Sequence, residues 1–133
     1  MAHLDSQTLD GPNVQDILGD LGMWLANKVF TKEGSDLERY VANDLESKII
    51  PLLRVLNFVN KSSRPGYTVL RTTGVKSAKI RNSTGPAYLI PIRILSGNPM
   101  VSTKQAKVGE AIYITEQVDV GPKMDFIIIV PSS

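Results

Sequence analysis

The chain has no cysteine, which excludes disulfides, thiolate metal sites and thiol nucleophiles at once. It has one histidine, His3, in the first few residues. General acid–base work or a histidine-based metal site would rest on that terminal residue alone. Aromatic residues make up 6% of 133, so aliphatic side chains must supply most of any buried area. Long hydrophobic runs are missing too: Phe126-Ile127-Ile128-Ile129-Val130 is about a quarter of the roughly twenty residues a spanning helix needs. The N-terminus lacks the basic leader and unbroken apolar core of a signal peptide, so a protein made in the cytoplasm, with no membrane segment, is expected. No glycine-rich phosphate loop is present either, because Gly19 and Gly22 fall inside a helical pattern with no strand before them. Together these absences point away from an enzyme, and no catalytic residue, metal, cofactor or small-molecule substrate is expected.

One absence is regional. Residues 47–109 contain eleven bases and no Asp or Glu, a local charge of +11. Residues 1–46 carry nine acids and three bases, a charge of −6, and residues 110–133 carry four acids and one base, a charge of −3. An acidic helical end and a basic middle of this kind can dock copy to copy, since complementary charge steers assembly.

Length and a hydrophobic content of 42% fit one domain in which roughly two thirds of the unfolded surface can be buried. Residues 1–11 read as a polar arm, residues 12–61 as a helical part and residues 62–133 as a β part. Asp10-Gly11-Pro12 starts the first helix, with Asp10 or Gly11 as cap and proline in the first position. Val14, Ile17, Leu18, Leu21, Leu25 and Val29 form its apolar stripe, with Asp16 and Asp20 opposite. Gly19 and Gly22 lower helix propensity by about 1 kcal/mol each relative to alanine, which close approach of another backbone would explain. Ser35-Asp36-Leu37-Glu38 has the form of a capping box and predicts a second helix. Its stripe is Leu37, Val41, Leu45, Ile49, Leu52, Leu56 and Val59, and Pro51 either kinks it or restarts it.

After Ser62 the period changes. Tyr67–Thr73 and Val75–Arg81 read as strands, the second weaker, with Lys76, Ala78 and Ile80 on one face and Val75, Ser77 and Lys79 on the other. Ala87–Leu95 is a strongly apolar strand in which Pro91 calls for a sheet edge or a bulge. Residues 101–108 read as a loop. Glu110–Glu116 alternates as a half-buried strand, and Met124–Val130 suits a strand covered on both faces, the two closing the chain as a final apolar hairpin. The expected fold is therefore α+β: two N-terminal amphipathic helices followed by a mostly antiparallel sheet, small barrel or sandwich of about five strands.

The candidate interface residues follow from charge and position. Arg64, Arg71, Lys76, Lys79 and Arg81, with Tyr67 beside them, form the basic side; Asp16, Asp20, Asp36 and Glu38 form the acidic side. Asp16 and Asp20 share a helix face at i, i+4 and could hold a hard cation, but acids on the polar side of a helix are ordinarily solvated. Trp24 is a core or interface anchor, since tryptophan supplies a large area with one polar handle. Basic strands with an aromatic can also track a nucleic-acid backbone, which makes a nucleic-acid-binding module, using residues 61–81, the alternative.

Capped amphipathic helices from Pro12 and from Ser35, followed by short strands with Pro/Gly turns, resemble the layout of small head-to-tail connector, tail-completion and baseplate adaptor proteins of tailed bacteriophages. The resemblance implies a virion structural subunit in a ring, with loops and termini ordered by neighbours. The expected function is thus a structural subunit of a ring or particle, partnered by copies of itself or by neighbouring structural subunits.

Overall fold

Met124–Val130, the strand β11, is the axis around which the chain folds. In the computed structural model, which describes residues 5–9, 13–32, 36–41, 43–55, 66–73, 78–80, 87–102, 104–115, 117–121 and 123–130, β11 pairs antiparallel with β4 (Gly66–Thr72) on one side and β6 (Ala87–Ile94) on the other. Further strands extend the sheet: β3 (Leu37–Tyr40) and β2 (Thr31–Lys32) beyond β4, and β9 (Glu110–Ile114) and β1 (Asp5–Thr8) beyond β6. The order of this seven-stranded antiparallel sheet is β1-β9-β6-β11-β4-β3-β2. A second sheet, β5-β10-β7-β8, is built from β5 (Ala78–Ile80), β10 (Val118–Val120), β7 (Met100–Val101) and β8 (Lys104–Gln105).

Side-chain alternation turns β11 into the shared wall of two cores. Ile127 and Ile129 join Val69 and Ile90 beneath α1 (Val14–Ala26) and α2 (Leu45–Val55), which supply Leu18, Leu21, Leu25, Ile49 and Leu52. Met124, Phe126 and Ile128 face the other way, onto Ile80, Val101, Val118 and Val120 of the second sheet. The order of layers is helices, large sheet, small sheet. Each fully buried aliphatic side chain contributes about 1.5–3 kcal/mol, so both faces of β11 hold the layers together.

These observations correct the expected fold. The two helices do not precede the sheet: β1 comes before α1, and the β2–β3 hairpin separates α1 from α2. The polar arm is in part a strand, paired with β9 from Asp5 to Thr8, and Leu9 behind it is buried. The first helix begins at Val14 with Asn13 as N-cap; Asp10, Gly11 and Pro12 lie outside the described residues. Val29 is past its end and exposed.

The capping-box segment is the largest departure. Ser35 lies outside the described residues, and Leu37–Tyr40 is a strand paired with β4. Extended backbone puts Tyr40 against Phe30 and Trp24 on the helix side and Leu37 against the second core. A helix would have aligned Leu37 and Val41 on one stripe, and four residues of ladder plus aromatic packing outweigh a cap of about 1 kcal/mol. The second helix therefore starts at Leu45, and Pro51 sits within it.

Among the described residues eleven strands, in two sheets not closed into a barrel, replace the expected five. β6 lies between β9 and β11, but its pairing with β9 ends at Leu89, so Pro91 is paired on the β11 side alone, next to a register shift at Asp125/Phe126 where Ile92 is the extra residue. Residues 101–108 contain the short β7–β8 pairing. β9 and β11 form no hairpin, because β6 stands between them.

Candidate interaction surface

Antiparallel register places Lys32, Glu38, Arg71, Asp125 and Arg93 in a single row across β2, β3, β4, β11 and β6. Residues directly opposite in such a ladder share a face, and here it is the helix face, where Val69, Ile127 and Tyr40 also lie. The charges alternate in sign along the row.

The centre of the row is closed. Asp125 is fully buried, and Arg71 grips it with two hydrogen bonds, Nε to Oδ1 at 2.6 Å and Nη2 to Oδ2 at 3.1 Å. The same guanidinium donates from Nη2 to the Leu25 carbonyl at 3.3 Å and lies 3.9 Å from the Phe30 ring centroid. No basic residue occupies the last turn of α1, so Arg71 supplies the cation that the carbonyl end of a helix favours. The pair is a girder between sheet and helix. It also removes Arg71 from any docking role.

At the C-terminal end of α1, Trp24 packs edge-on to Tyr40 with centroids 5.4 Å apart, while Lys28 and Lys48 lie 4.6 and 5.7 Å from its centroid. The Tyr40 hydroxyl donates to Asp44 Oδ1 at 2.9 Å, and Lys28 Nζ lies 3.4 Å from Oδ2. The Tyr40 hydrogen bond and then Lys28 hold the Asp44 carboxyl below its ordinary range, against some desolvation. Burial and the Asp44 carboxylate push the Tyr40 phenol up. Trp24 is therefore an anchor in the molecule's own packing, with its remaining surface flanked by lysines.

The opposite face of the large sheet is covered unevenly. Leu89, Ile128 and Thr68 are successive partners across β6, β11 and β4, and one step beyond the β3 and β2 registers lie Val41 and Val29. The second sheet hides Leu89 and Ile128, at 0% and 8% exposure; Val41 and Val29 stand at 67% and 88%. An open groove of about 370 Å³ lies between the start of α2, the end of β3 and the start of β4, lined by Arg39, Tyr40, Val41, Leu45, Glu46 and Tyr67.

The other candidates scatter. Asp16 and Asp20 are exposed on α1, Asp20 in a shallow groove with Lys48. Asp36 and Glu38 are half-buried at the β2–β3 hairpin, not at a helix N-terminus. Tyr67 is partly buried under α2, its phenol pushed up by burial and by Glu46. Lys79 is exposed on β5, in the other layer from Arg71, and pairs in register with Asp119. Arg64, Lys76 and Arg81 lie outside the described residues. Among the described residues no group of three or more His, Asp or Glu is placed to hold a metal ion, and no helix is long and apolar enough to cross a membrane.

The sequence alone does not show the shelf or the charge row, because Val29 and Val41 fit helical stripes and the row exists only in the sheet register. Asp125, the single acid among the residues of the last apolar strand, was the available signal for the row. The chain matches no family model, and neither the curated proteins nor the solved structures give a match.

Proposed function

We propose that the chain is a non-enzymatic structural subunit of a symmetric multi-subunit assembly. The apolar shelf carries this reading. Two β-branched side chains side by side on a sheet face gain nothing from solvent, and a neighbour covering them gains about 25 cal/mol for each Å² of apolar surface hidden. Exposed Asp16 and Asp20 remain acidic docking candidates, whereas Arg71 is spent within the fold. A bacteriophage neck, tail or baseplate ring stays the proposed setting, but the layout that suggested it has lost its helix from Ser35, so the surface now supports the assembly reading by itself.

The alternative, nucleic-acid binding through residues 61–81, is supported less well. Arg71 is neutralised by Asp125 and Lys79 stands beside Asp119 in a different layer, so these two cations do not form one groove. Light scattering on the purified protein at low ionic strength, alone and with candidate partners, tests the assembly reading. A higher-order species is expected; a monomer that docks on nothing would sink it. Salt-dependent retention of DNA or RNA would favour the alternative instead.

A further inference from the structure

The outward face of α1 carries charges of both signs that its own subunit leaves unpaired. On the β6 side of the helix, Arg93 lines a groove of about 260 Å³ with Gly19, Gly22 and Met23; on the α2 side, Asp20 lines another with Lys48. The neighbour of Arg93 in the charge row, Asp125, is already taken by Arg71. Among the described residues the Arg93 guanidinium has neither an ion pair nor a hydrogen bond, and the same holds for the carboxylates of Asp16 and Asp20. Lys48, on the flank of Asp20, is held over the Trp24 ring.

Between these flanks Asp16, Gly19, Met23 and Ala26 are all exposed, at the alternating three- and four-residue spacing of a helix–helix seam. Met23 stands 75% in solvent. Gly19 lowers helix propensity by about 1 kcal/mol relative to alanine, yet nothing in the subunit lies within 4 Å of a Cβ placed there. Gly22 is packed against β6, whereas Gly19 leaves room for a helix from outside.

A patch with its acid on one flank and its base on the other complements itself, as a two-fold contact requires. Charge also sets the direction. Antiparallel α1 helices would bring Arg93 to Arg93 and Asp20 to Asp20, whereas parallel helices lay the β6 flank of each against the α2 flank of the other. Arg93 packs at the level of Gly22, two residues or about 3 Å of helical rise from Asp20 of the second copy.

We infer that α1 packs in parallel against α1 of a second copy about a two-fold axis, with Met23 buried between them and Arg93 of each subunit paired to Asp20 of the other. Asp16 would meet its own copy at the end of the seam, so the crossing is centred on Gly19 and Met23. The inference rests on the assembly reading and gives it a contact on the side of the large sheet away from the shelf.

Sedimentation velocity on the full chain at low ionic strength tests it. Each substitution acts twice in a two-fold contact, so Arg93→Glu or Asp20→Lys is expected to weaken association by about tenfold or more, and the double variant is expected to restore it. Gly19→Gln places a long side chain where the second helix would lie and should abolish the contact, while Asp16→Asn should tighten it. Circular dichroism checks that each variant is folded, and Gly19→Gln and Asp20→Lys change only exposed positions. Association unchanged by these two variants would overturn the α1 contact and leave the assembly reading standing. Single charge variants that dissociate without rescue in the double would overturn the Arg93–Asp20 pairing. A wild-type monomer would overturn both readings.

Discussion

The middle and the open end of one row make an instructive pair. Leu89 and Ile128 are sealed between the large sheet and the small one, while Val41 and Val29, in line with them on the same face, stand in solvent. Residue class is not what differs, since all four are aliphatic. Coverage differs: the four-stranded sheet closes over Leu89 and Ile128 and leaves Val41 and Val29 outside it. Hydrophobicity on a strand thus states that a face is to be covered, without saying by which chain.

The largest effect is expected at the closed centre. Asp125→Ala leaves the Arg71 guanidinium without its carboxylate, and breaking a buried pair in this way costs about 3–5 kcal/mol. Urea denaturation should show this loss. Replacing both partners together, Arg71→Met with Asp125→Leu, should recover most of it, because no uncompensated charge remains. A double variant as unstable as the single would mean that the Arg71 bond to Leu25 O, and not the ion pair, holds the layers.

Truncation along the shelf row draws the contrast directly. Leu89→Ala should cost about 2–5 kcal/mol of folding stability, whereas Val29→Ala should stay within about 0.5 kcal/mol. Equal costs, measured by urea denaturation of dilute protein, would mean that Val29 is covered within its own subunit and would remove the shelf.

A smaller effect tests the helix above the centre. Nothing lies within 4 Å of a Cβ added to Gly19, so Gly19→Ala should stabilise by about 1 kcal/mol through helix propensity. At Gly22 the added carbon would meet Arg93 Cβ at 3.4 Å and the Ile92 carbonyl at 3.6 Å. Gly22→Ala should therefore gain less than Gly19→Ala in thermal melts. Close backbone approach accounts for one of the two glycines and not for the other.

What the sequence let through follows the same division. The stripe Val14, Leu18, Leu21, Leu25 is periodic over enough residues to mark a buried face, and the unbroken run Phe126–Val130 marks a strand covered on both faces. Pro91 could be limited to an edge or a bulge, and it sits beside a bulge and beyond the last β9 partner of its strand. The β2–β3 hairpin was not legible, because Ser35-x-x-Glu38 is a local helix signal and the pairing of Leu37–Tyr40 with β4 is made some thirty residues away. Charge counting made Arg71 part of a basic surface; only register brings it to Asp125, 54 residues on.

The smallest effect belongs to the polar contacts that hold the open end on its helix side. Tyr40 and Lys28 keep the Asp44 carboxyl below its ordinary 3.8, so its stabilising share is complete above that pH and is lost as pH falls through the lower folded value. Asp44→Asn should flatten that part of the acid limb. The gain in acid should be slight and should shrink with added salt, since Asp44 is half exposed. Tyr40 supplies the opposite limb: its phenol is raised above 10.0, so folding loses stability as pH climbs past that value, and Tyr40→Phe should abolish the loss. Because Tyr40→Phe also removes the hydrogen bond that depresses Asp44, it should flatten both limbs, while Asp44→Asn flattens the acid one and weakens the alkaline one. A variant pair whose limbs moved independently would show that Tyr40 and Asp44 do not act on each other, and the open end would then depend on the aromatic stack alone.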